Sequence, residues 1–434
     1  MTARTGDESA DAIIPVAPRS GWLAARPWAA VALLTVIGIV NFLDRVLPSI
    51  LAEPIKRELV LSDTTLGLIN GVGFLFIYAT ACIPLAHLSD RGRYSVVISI
   101  SLAIWSAMTM VGGWVTSGWQ LAVSRMGVAL GEAGATPAAH AFITRRFPPD
   151  RRAAALSVYM LCIPLGSMAG FVLGGFMGET LGWRRTFILM GAIGLALALT
   201  AYLALGRGPA APVAEPGGER PPLRVLPLFR KRSLIATLAG SSFILIGGYA
   251  TTAFAPAFLM RSHAMTVGEA GLKFGLMGGL GGALTLVIAG WLADRLSARD
   301  PRWLLGVVIL MIAAALPLSI AAFSIADQTL AVVCLAVNYI IPIAYAGPVI
   351  AALHRLSPLE FRARASALLL FCSGVFGGLG PLIVGAISDA LAPQYGVEAL
   401  GRALQLLVPT AYGIAALLYS AALLTFRNEV EKED

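Results

Sequence analysis

Apolar stretches of about 20 residues recur along the whole chain, the length that a helix needs to cross a bilayer. Short polar segments separate them. Because the hydrocarbon offers no water to satisfy backbone N–H and C=O groups, such stretches must be helical. The pattern predicts twelve membrane-spanning helices, at residues 28–51, 65–87, 94–113, 118–144, 153–177, 184–206, 233–260, 267–291, 303–324, 328–354, 364–388 and 402–426.

The predicted helices fall into two sets of six. Residues 207–232 are rich in proline and glycine, which is typical of a linker. The predicted organisation is therefore an N-terminal tail, a six-helix bundle, the linker, a second six-helix bundle and a C-terminal tail, at residues 1–27, 28–206, 207–232, 233–426 and 427–434. Such parallel repeats place a substrate path between the halves, near the membrane midplane.

Composition agrees with a membrane protein, because 57% of the residues are hydrophobic and 13% are charged. Soluble domains average about 25% charged residues. The net charge of +8 does not indicate nucleic-acid binding, since the basic residues lie in short gaps between apolar stretches. They concentrate in the loops of one side, which predicts an inner (plasma) membrane protein with both termini and the linker in the cytoplasm.

A short motif occurs at matching places in the two halves. The chain reads Ala-His-Leu-Ser-Asp-Arg-Gly-Arg at 86–93 and Gly-Trp-Leu-Ala-Asp-Arg at 290–295. Both segments resemble the loop motif Gly-x-x-x-Asp-Arg-x-Gly-Arg of the major facilitator superfamily, although Ala86 replaces its first glycine and Gly92 comes one place early. The resemblance covers nearly the whole chain. It implies an all-α integral membrane fold of two pseudo-symmetric six-helix bundles that work by alternating access.

Three further segments resemble the Spinster branch of that superfamily, in its bacterial type. They are Asn-Phe-Leu-Asp-Arg at 41–45, Gly-Glu-Ala at 131–133 and Ile-Pro-Leu-Gly-Ser at 163–167. Spinster proteins are regarded as lipid carriers, so the resemblance implies an amphipathic, lipid-like substrate. Asp-Arg in helix 1 also occurs in organic-anion symporters of the superfamily. A proton-coupled symporter of small organic anions, such as sugar acids, is therefore the alternative.

Four charged residues fall inside predicted helices of the first half: Asp44, Arg45, Arg125 and Glu132. Charges near the bilayer centre are costly, so they usually face the bundle interior or a wet cavity and form pairs. The rise of about 1.5 Å per helical residue puts Asp44 and Arg125 at compatible depths for an ion pair.

Two interpretations of these charges remain open. They form a static network that holds helices 1 and 4 together, or they couple protons to substrate. In the second interpretation Asp44 and Glu132 carry protons, because burial favours the neutral form of a carboxyl group. Arg45 or Arg125 then binds an anionic headgroup, since guanidinium pairs bidentately with phosphate or carboxylate.

The second half has almost no charge within its helices, so the cavity is expected to be charged on one wall and apolar on the other. This arrangement suits an amphipathic substrate. The neutral polar candidates for substrate contact are Asn41, Thr136, Tyr249, Asn338 and Tyr345. Ordinary helix packing is the alternative role for such neutral side chains.

The Asp-Arg pairs that follow helices 2 and 8 suggest a cytoplasmic gate. Asp90 can face the positive N-terminus of helix 11 near Arg362, and Asp294 can face helix 5 near Arg151. The alternative is that each pair only fixes a turn and the orientation. The full set of gate candidates is Asp90, Arg91, Arg93, Asp294, Arg295, Arg151 and Arg362.

Helix 5 has small residues at helical spacing. Gly166, Gly170 and Gly174 recur every four residues and share one face for close helix approach, with Pro164 just before them. We interpret this segment as a packing face or hinge.

The sequence contains no set of residues that predicts an enzyme. We find no nucleophile–base pair, no metal-ligand spacing among the four cysteines and four histidines, and no ATP-binding loop of the Gly-x-x-x-x-Gly-Lys type. We therefore expect no cofactor and no metal. The expected partners are the lipid bilayer, an amphipathic small molecule and protons, and the expected state is a monomer.

Overall fold

The computed structural model describes residues 23, 26–90, 94–205, 230–358 and 361–430, except the side chains of residues 83, 86–90, 149, 363 and 373. These residues are helical with short connections and contain no strand, which confirms the all-α fold. Arg91, Arg93, the side chain of Asp90, most of the predicted linker and most of the two predicted tails lie outside the described part.

Twelve helical passes follow one another in the described residues, as the apolar stretches predict. A short helix, Ala52–Leu59, follows the first pass and the 3₁₀ turn Gly396–Glu398 precedes the last. The passes are α1 Pro27–Ile50, α2 Asp63–Asn70 with Val72–Asp90, α3 Tyr94–Gly112, α4 Gly118–Arg146, α5 Pro149–Met160 with Cys162–Leu181, α6 Trp183–Leu205, α7 Arg232–Ser262, α8 Val267–Ser297, α9 Trp303–Ala322, α10 Gln328–Ala344 with Ala346–Arg355, α11 Arg362–Gly377 with Leu379–Tyr395, and α12 Ala399–Val430.

Four passes are broken where the sequence pattern predicts continuous helices. The interruptions are at Gly71 in α2, Leu161 in α5, Tyr345 in α10 and Gly378 in α11. Of these, Gly71 leaves the helical region (φ −102°, ψ −107°), whereas the other three keep right-handed helical dihedrals. The breaks of α2 and α11 adjoin, because a side chain at Gly71 would collide with the Gly378 carbonyl. The two halves therefore approach each other closely at these two interruptions. Hydrophobic periodicity in the sequence does not reveal such an approach.

Within the described residues, ten helical segments are long and apolar enough to span a membrane, by length and composition. The last of them, Arg364–Val430, contains most of α11 and all of α12. The ten do not include α4, whose polar residues lower its mean hydropathy. The pass that composition marks least clearly as membrane-spanning is therefore the one that carries Arg125 and Glu132.

The two ends of the bundle differ in how the halves meet. Leu205 ends the sixth pass and Arg232 begins the seventh, so these two residues, which flank the linker, lie on one membrane side, which we name the linker side. We name the opposite side the latch side. It holds the short helix after α1, the start of α2 and the end of α7.

An arginine joins the two halves on the latch side. Arg261, at the end of α7, donates two hydrogen bonds of 2.7 Å to the Asp63 carboxylate and one of 2.5 Å to Glu53. Lys56 also pairs with Asp63, at 2.6 Å. The Arg261 side chain is 12% exposed and the two carboxylates are less exposed, so water screens this network weakly.

Each half also caps a helix of the other half. Asp389 of α11 accepts hydrogen bonds from the backbone N–H groups of Asp63 and Thr64, at the start of α2. Glu179 of α5 accepts one from the Gly268 N–H, at the start of α8, at 2.8 Å. Carboxylates satisfy otherwise unpaired N–H groups there and interact favourably with the helix dipole. We name the Arg261 network and these two caps together the latch.

The linker side is more open. A side chain added at Gly290, near the linker-side end of α8, would meet nothing within 4 Å, whereas side chains at Gly67, Gly175 and Gly385 on the latch side would collide with the backbone of the other half. Asp294 and Arg295 are exposed, and the Arg295 guanidinium lies over the Trp291 ring. The halves therefore close on the latch side and separate towards the linker side.

The candidate gate residues that the structure describes are not joined across the halves in this arrangement. Arg151 lies 3.8 Å from its neighbour Asp150, and Arg362 donates a hydrogen bond to the His354 carbonyl within its own half. The gate remains a prediction for a conformation in which the linker side closes.

Replacing Arg261 tests the latch. Breaking a buried ion pair costs about 3–5 kcal/mol, so we expect Arg261→Gln to raise the population of latch-open molecules by at least about tenfold. Spin labels at Val60 and Val397, which are 89% and 65% exposed on this side, report the distance between halves on a cysteine-free background. Arg57→Gln is the matched control, because Arg57 is 78% exposed and 3.9 Å from Glu53. An unchanged distance distribution in Arg261→Gln would contradict the latch.

Candidate transport site

The four charged residues of the first half meet inside the bundle, between α1 and α4. Asp44 is 1% exposed, Arg125 is 2% exposed and Glu132 is fully buried. Arg45 retains 23% side-chain exposure. The described part of the cluster therefore has two positive and two negative groups, and only one of them reaches solvent.

Arg45 and Glu132 form an ion pair. The Arg45 Nη2 atom lies 2.6 Å from Glu132 Oε2, and Nε lies 3.1 Å from the same oxygen. The bond connects α1 to α4 through a charge-assisted contact in a water-poor region, where such contacts are strong. The exposed edge of Arg45 makes it the member of the pair that an incoming solute can reach.

The ion pair expected between Asp44 and Arg125 is not formed in the described structure. The Asp44 carboxylate instead accepts a hydrogen bond of 3.2 Å from Thr109 of α3. Similar depth along the membrane does not fix the direction of a side chain around its helix. Asp44 and Arg45 are neighbours about 100° apart on α1, so Asp44 faces α3 while Arg45 faces α4.

Aromatic rings surround the Arg45 guanidinium. Its carbon lies 4.8 Å from the centroid of Tyr78, 5.0 Å from Phe42 and 5.6 Å from Phe74. The Phe74 ring also contacts Arg125, at 5.0 Å. Cation–π attraction stabilises a desolvated guanidinium and still leaves its N–H donors for hydrogen bonding. These rings escaped the sequence analysis, although the spacing of four between Phe74 and Tyr78 puts them on one face of α2.

Several buried polar atoms of the cluster have no hydrogen-bond partner. They belong to Arg125, to the two carboxylates and to a neighbouring amide and indole group. A buried unsatisfied polar group costs about 1–3 kcal/mol, so the cluster holds unused binding capacity. The atoms are Arg125 Nε and Nη1, Asp44 Oδ1, Glu132 Oε1, Asn41 Nδ2 and Trp105 Nε1.

The second half contributes one of its three polar candidates to this cluster. Tyr249 of α7 packs against the apolar core of the first half and lies close to Arg45. Asn338 is fully buried, and its amide donates to the Cys334 carbonyl of its own helix. Tyr345 is also buried, in the core of the second half.

The small residues of α5 hold it close to α1. A side chain at Gly166 would lie 2.7 Å from the Ile39 carbonyl oxygen, and one at Gly170 would lie 2.9 Å from that of Leu43. Gly174 meets α1 one turn further on, and Pro164 is buried on the same helix. This packing face thus lies directly against the helix that carries Asp44 and Arg45.

Comparisons with known proteins agree on a family. The family model described as Major Facilitator Superfamily matches residues 34–381. An MFS-type efflux pump of Mycolicibacterium smegmatis is 47% identical over 94% of this chain and 95% of its own length. A sphingosine-1-phosphate transporter of Danio rerio is 23% identical over 94% of this chain and 86% of its own. A probable L-galactonate transporter of Escherichia coli is 26% identical over 66% of this chain and 67% of its own.

A solved structure is also similar over almost the whole fold. It is a bacterial homologue of the human lysosomal transporter Spinster, in an inward-facing and unoccupied conformation. It is 28% identical, with a TM-score of 0.80, and the match covers 93% of this chain and 98% of that one. The comparisons confirm the resemblance to the Spinster branch.

A double-mutant cycle tests the Arg45–Glu132 pair. Arg45→Gln leaves the Glu132 carboxylate buried without its cation, and adding Glu132→Gln relieves that cost. We expect a coupling free energy of about 1–3 kcal/mol, measured by unfolding in detergent micelles. The exposed pair Arg402–Glu398, at 3.4 Å, is the matched control and should couple by less than about 1 kcal/mol. Equal coupling in the two cycles would show that the pair is not formed.

Proposed function

The chain belongs to the Major Facilitator Superfamily, and we propose that it is a proton-coupled secondary transporter of an amphipathic, anionic substrate. The observation that carries the proposal is the Arg45–Glu132 ion pair, because it joins an anion-binding group directly to a carboxylate that can take a proton. Since its family and structural relatives are transporters, the chain is a transporter and not an enzyme.

The pair supports a simple linkage between substrate and proton. An anionic headgroup that binds Arg45 competes with Glu132 for the same guanidinium. Glu132 then loses its counter-ion in a buried position, where the neutral acid is favoured. Substrate and proton therefore occupy the site together, and release of one promotes release of the other. Asp44 is the second candidate proton carrier, since it is the other carboxyl group buried in the cluster.

The rest of the site supports an amphipathic substrate. Arg45 and Arg125 offer donors to a phosphate or carboxylate, while Phe42, Phe74 and Tyr78 provide apolar surface beside them. The similarity to a sphingosine-1-phosphate transporter supports a lipid-like molecule with an anionic head. Thr136 and Tyr249 remain candidates for neutral contacts with that head.

Charge distribution supports an orientation in the membrane. Basic residues concentrate on the linker side, so we assign this side to the cytoplasm and the protein to the inner (plasma) membrane. The latch then closes the outer side, and the site faces the cytoplasm. In the outward-facing state we propose that Asp90, Arg91, Arg93, Asp294, Arg295, Arg151 and Arg362 close the cytoplasmic side. We propose that one chain forms the working unit.

The similarity to an efflux pump supports net export. A cotransporter exports an anion when the outward gradient of that anion exceeds the inward proton gradient. Export by exchange with protons would instead require that substrate and proton exclude each other at the site, which the shared guanidinium does not favour.

The second candidate function is proton-coupled symport of a small organic anion. The similarity to a probable L-galactonate transporter favours it. Such a compact anion would need basic groups from both halves, whereas the described second half brings a tyrosine, Tyr249, to the cluster. The apolar rings around Arg45 have no role in binding a fully polar sugar acid.

Reconstituted proteoliposomes test the proposal. Sphingosine phosphate, a lysophospholipid with an anionic head and galactonate are the probes, and a trapped dye reports internal pH. We expect the lipid probes to move protons in the same direction as themselves. The proposal fails if no lipid probe moves, or if protons move in the opposite direction. Movement of galactonate alone would establish the second candidate.

Glu132→Gln separates coupling from binding. We expect proton movement to fall by about 10²-fold or more, because the group that accepts the proton is gone. Counterflow of labelled against unlabelled substrate, which needs no net proton movement, should continue. Glu398→Gln is the control, since Glu398 is exposed and remote from the site. Full proton movement in Glu132→Gln would remove this residue from coupling.

A further inference from the structure

Glu132 has no direct contact with solvent, so a proton that it takes up or releases must be passed on. It is fully buried, and its Oε1 atom has no hydrogen-bond partner. Its other oxygen is held by Arg45. The latch closes one side of the protein, which leaves the linker side as the route to water in this conformation.

One face of α4 leads from Glu132 towards the linker side. Thr136 and His140 follow Glu132 at steps of four residues, so the three side chains lie nearly above one another. Exposure rises along this face, from none at Glu132 to intermediate at Thr136 and His140. At about 1.5 Å per residue, His140 lies about 12 Å beyond Glu132 along the helix axis.

His140 has an unused nitrogen in this region. Its Nε2 atom is buried and has no hydrogen-bond partner. Its ring meets the Tyr159 ring of α5 edge to face, with centroids 5.5 Å apart. A histidine that served only as packing would gain nothing from an unsatisfied buried nitrogen, which costs about 1–3 kcal/mol.

Polar groups bridge the interval between Glu132 and His140. The Tyr159 hydroxyl lies close enough to Thr136 to interact with it, and Tyr159 also lies near Arg45. Pro137 lacks an N–H group, so the Ala133 carbonyl in the same interval has no helical donor. Hydroxyl and carbonyl groups of this kind hold the water molecules through which protons pass.

We propose that His140 is the proton relay between Glu132 and the linker side. The inference rests on the proposed proton coupling. A proton leaves the Glu132 carboxyl group, crosses the Thr136–Tyr159 hydroxyls and water, and binds His140 Nε2 to give an imidazolium. Nδ1 then releases a proton to water on the linker side, and uptake runs in reverse. Imidazole suits this role because it accepts at one nitrogen and donates at the other near neutral pH.

Tyr159 of α5 is a titratable group whose ring contacts that of His140. Cys162, Tyr78 and Arg45 lie near Tyr159 in turn. On its own helix, Glu132 is the carboxylate of the same face. The relay therefore predicts that protons exchanged along this face pass through His140.

Two substitutions separate a relay from a packing role. His140→Phe keeps the edge-to-face contact with Tyr159 and removes both nitrogens, while His140→Gln keeps a polar group that cannot relay. We expect both to slow proton movement in the proteoliposome assay by at least about tenfold. This effect is smaller than the 10²–10⁴-fold loss that is typical when a direct acid–base group is removed. Lipid-probe counterflow should stay unchanged. His263→Gln, at the latch end of α7, is the matched control.

Chemical rescue gives a measurement that would not change if His140 served only for packing. In His140→Ala, added imidazole should restore proton movement on the linker side, and an equal concentration of a buffer too large to enter should not. If His140→Phe keeps wild-type proton movement while Glu132→Gln loses it, the relay is wrong and the proposed function stands.

Hydrogen–deuterium exchange at Glu132 tests the relay without substrate. At acidic pH the protonated carboxyl group gives an infrared band that is absent in Glu132→Gln. In detergent-solubilised protein we expect this band to shift in D₂O at least about tenfold more slowly in His140→Phe than in wild type. Equal exchange rates in the two proteins would overturn the relay, whether or not any probe is transported. Slower exchange in His140→Phe together with no transport of any probe would support the relay and contradict the proposed function.

Discussion

The scarcity of water around Glu132 is the constraint on which the rest of the structure depends. A carboxylate in such a place needs a partner, and Arg45 provides it from the neighbouring helix at 2.6 Å. The pair draws α1 and α4 together, and the glycines of α5 pack against α1 from another side. Three rings also contact the guanidinium, so cation–π attraction stabilises Arg45 in addition to its bond with Glu132.

The latch applies the same chemistry at the membrane surface with a different purpose. Its carboxylates are satisfied by protein donors from the opposite half, so closure leaves few charges unpaired. The capping contacts follow the repeat of the fold, since α5 caps α8 and the corresponding α11 caps the corresponding α2. Each half thus stabilises the other, because Asp389 and Glu179 accept from first-turn N–H groups that the local caps Ser62 and Thr266 do not reach.

Sequence reasoning predicted the twelve passes because lipid imposes a length and a composition that are visible in any single stretch. It also found the four buried charges, since a charge inside an apolar run stands out. It did not predict which charges pair, because rise along a helix gives the depth of Asp44 and Arg125 but not their direction around it. The rings of Phe74 and Tyr78 were missed because an aromatic residue in an apolar helix resembles one that faces lipid.

The latch could not be read from the sequence for a similar reason. Arg261, Glu53 and Asp63 lie near helix ends, where charged residues are common, and the contacts between them join residues about 200 positions apart. From the sequence alone, Arg261 is a basic residue just beyond the predicted helix 233–260. Its role becomes visible when the two halves are brought together.

The broken helices have a mechanical consequence. In α5 and α11 the interruptions at Leu161 and Gly378 separate a latch-side segment, which carries a cap, from a linker-side segment that does not. The cap holds only the latch-side segment of each helix to the other half. If the linker-side segments swing inwards while the caps stay in place, both ends of the molecule are shut, and neither ions nor solute leak across the membrane.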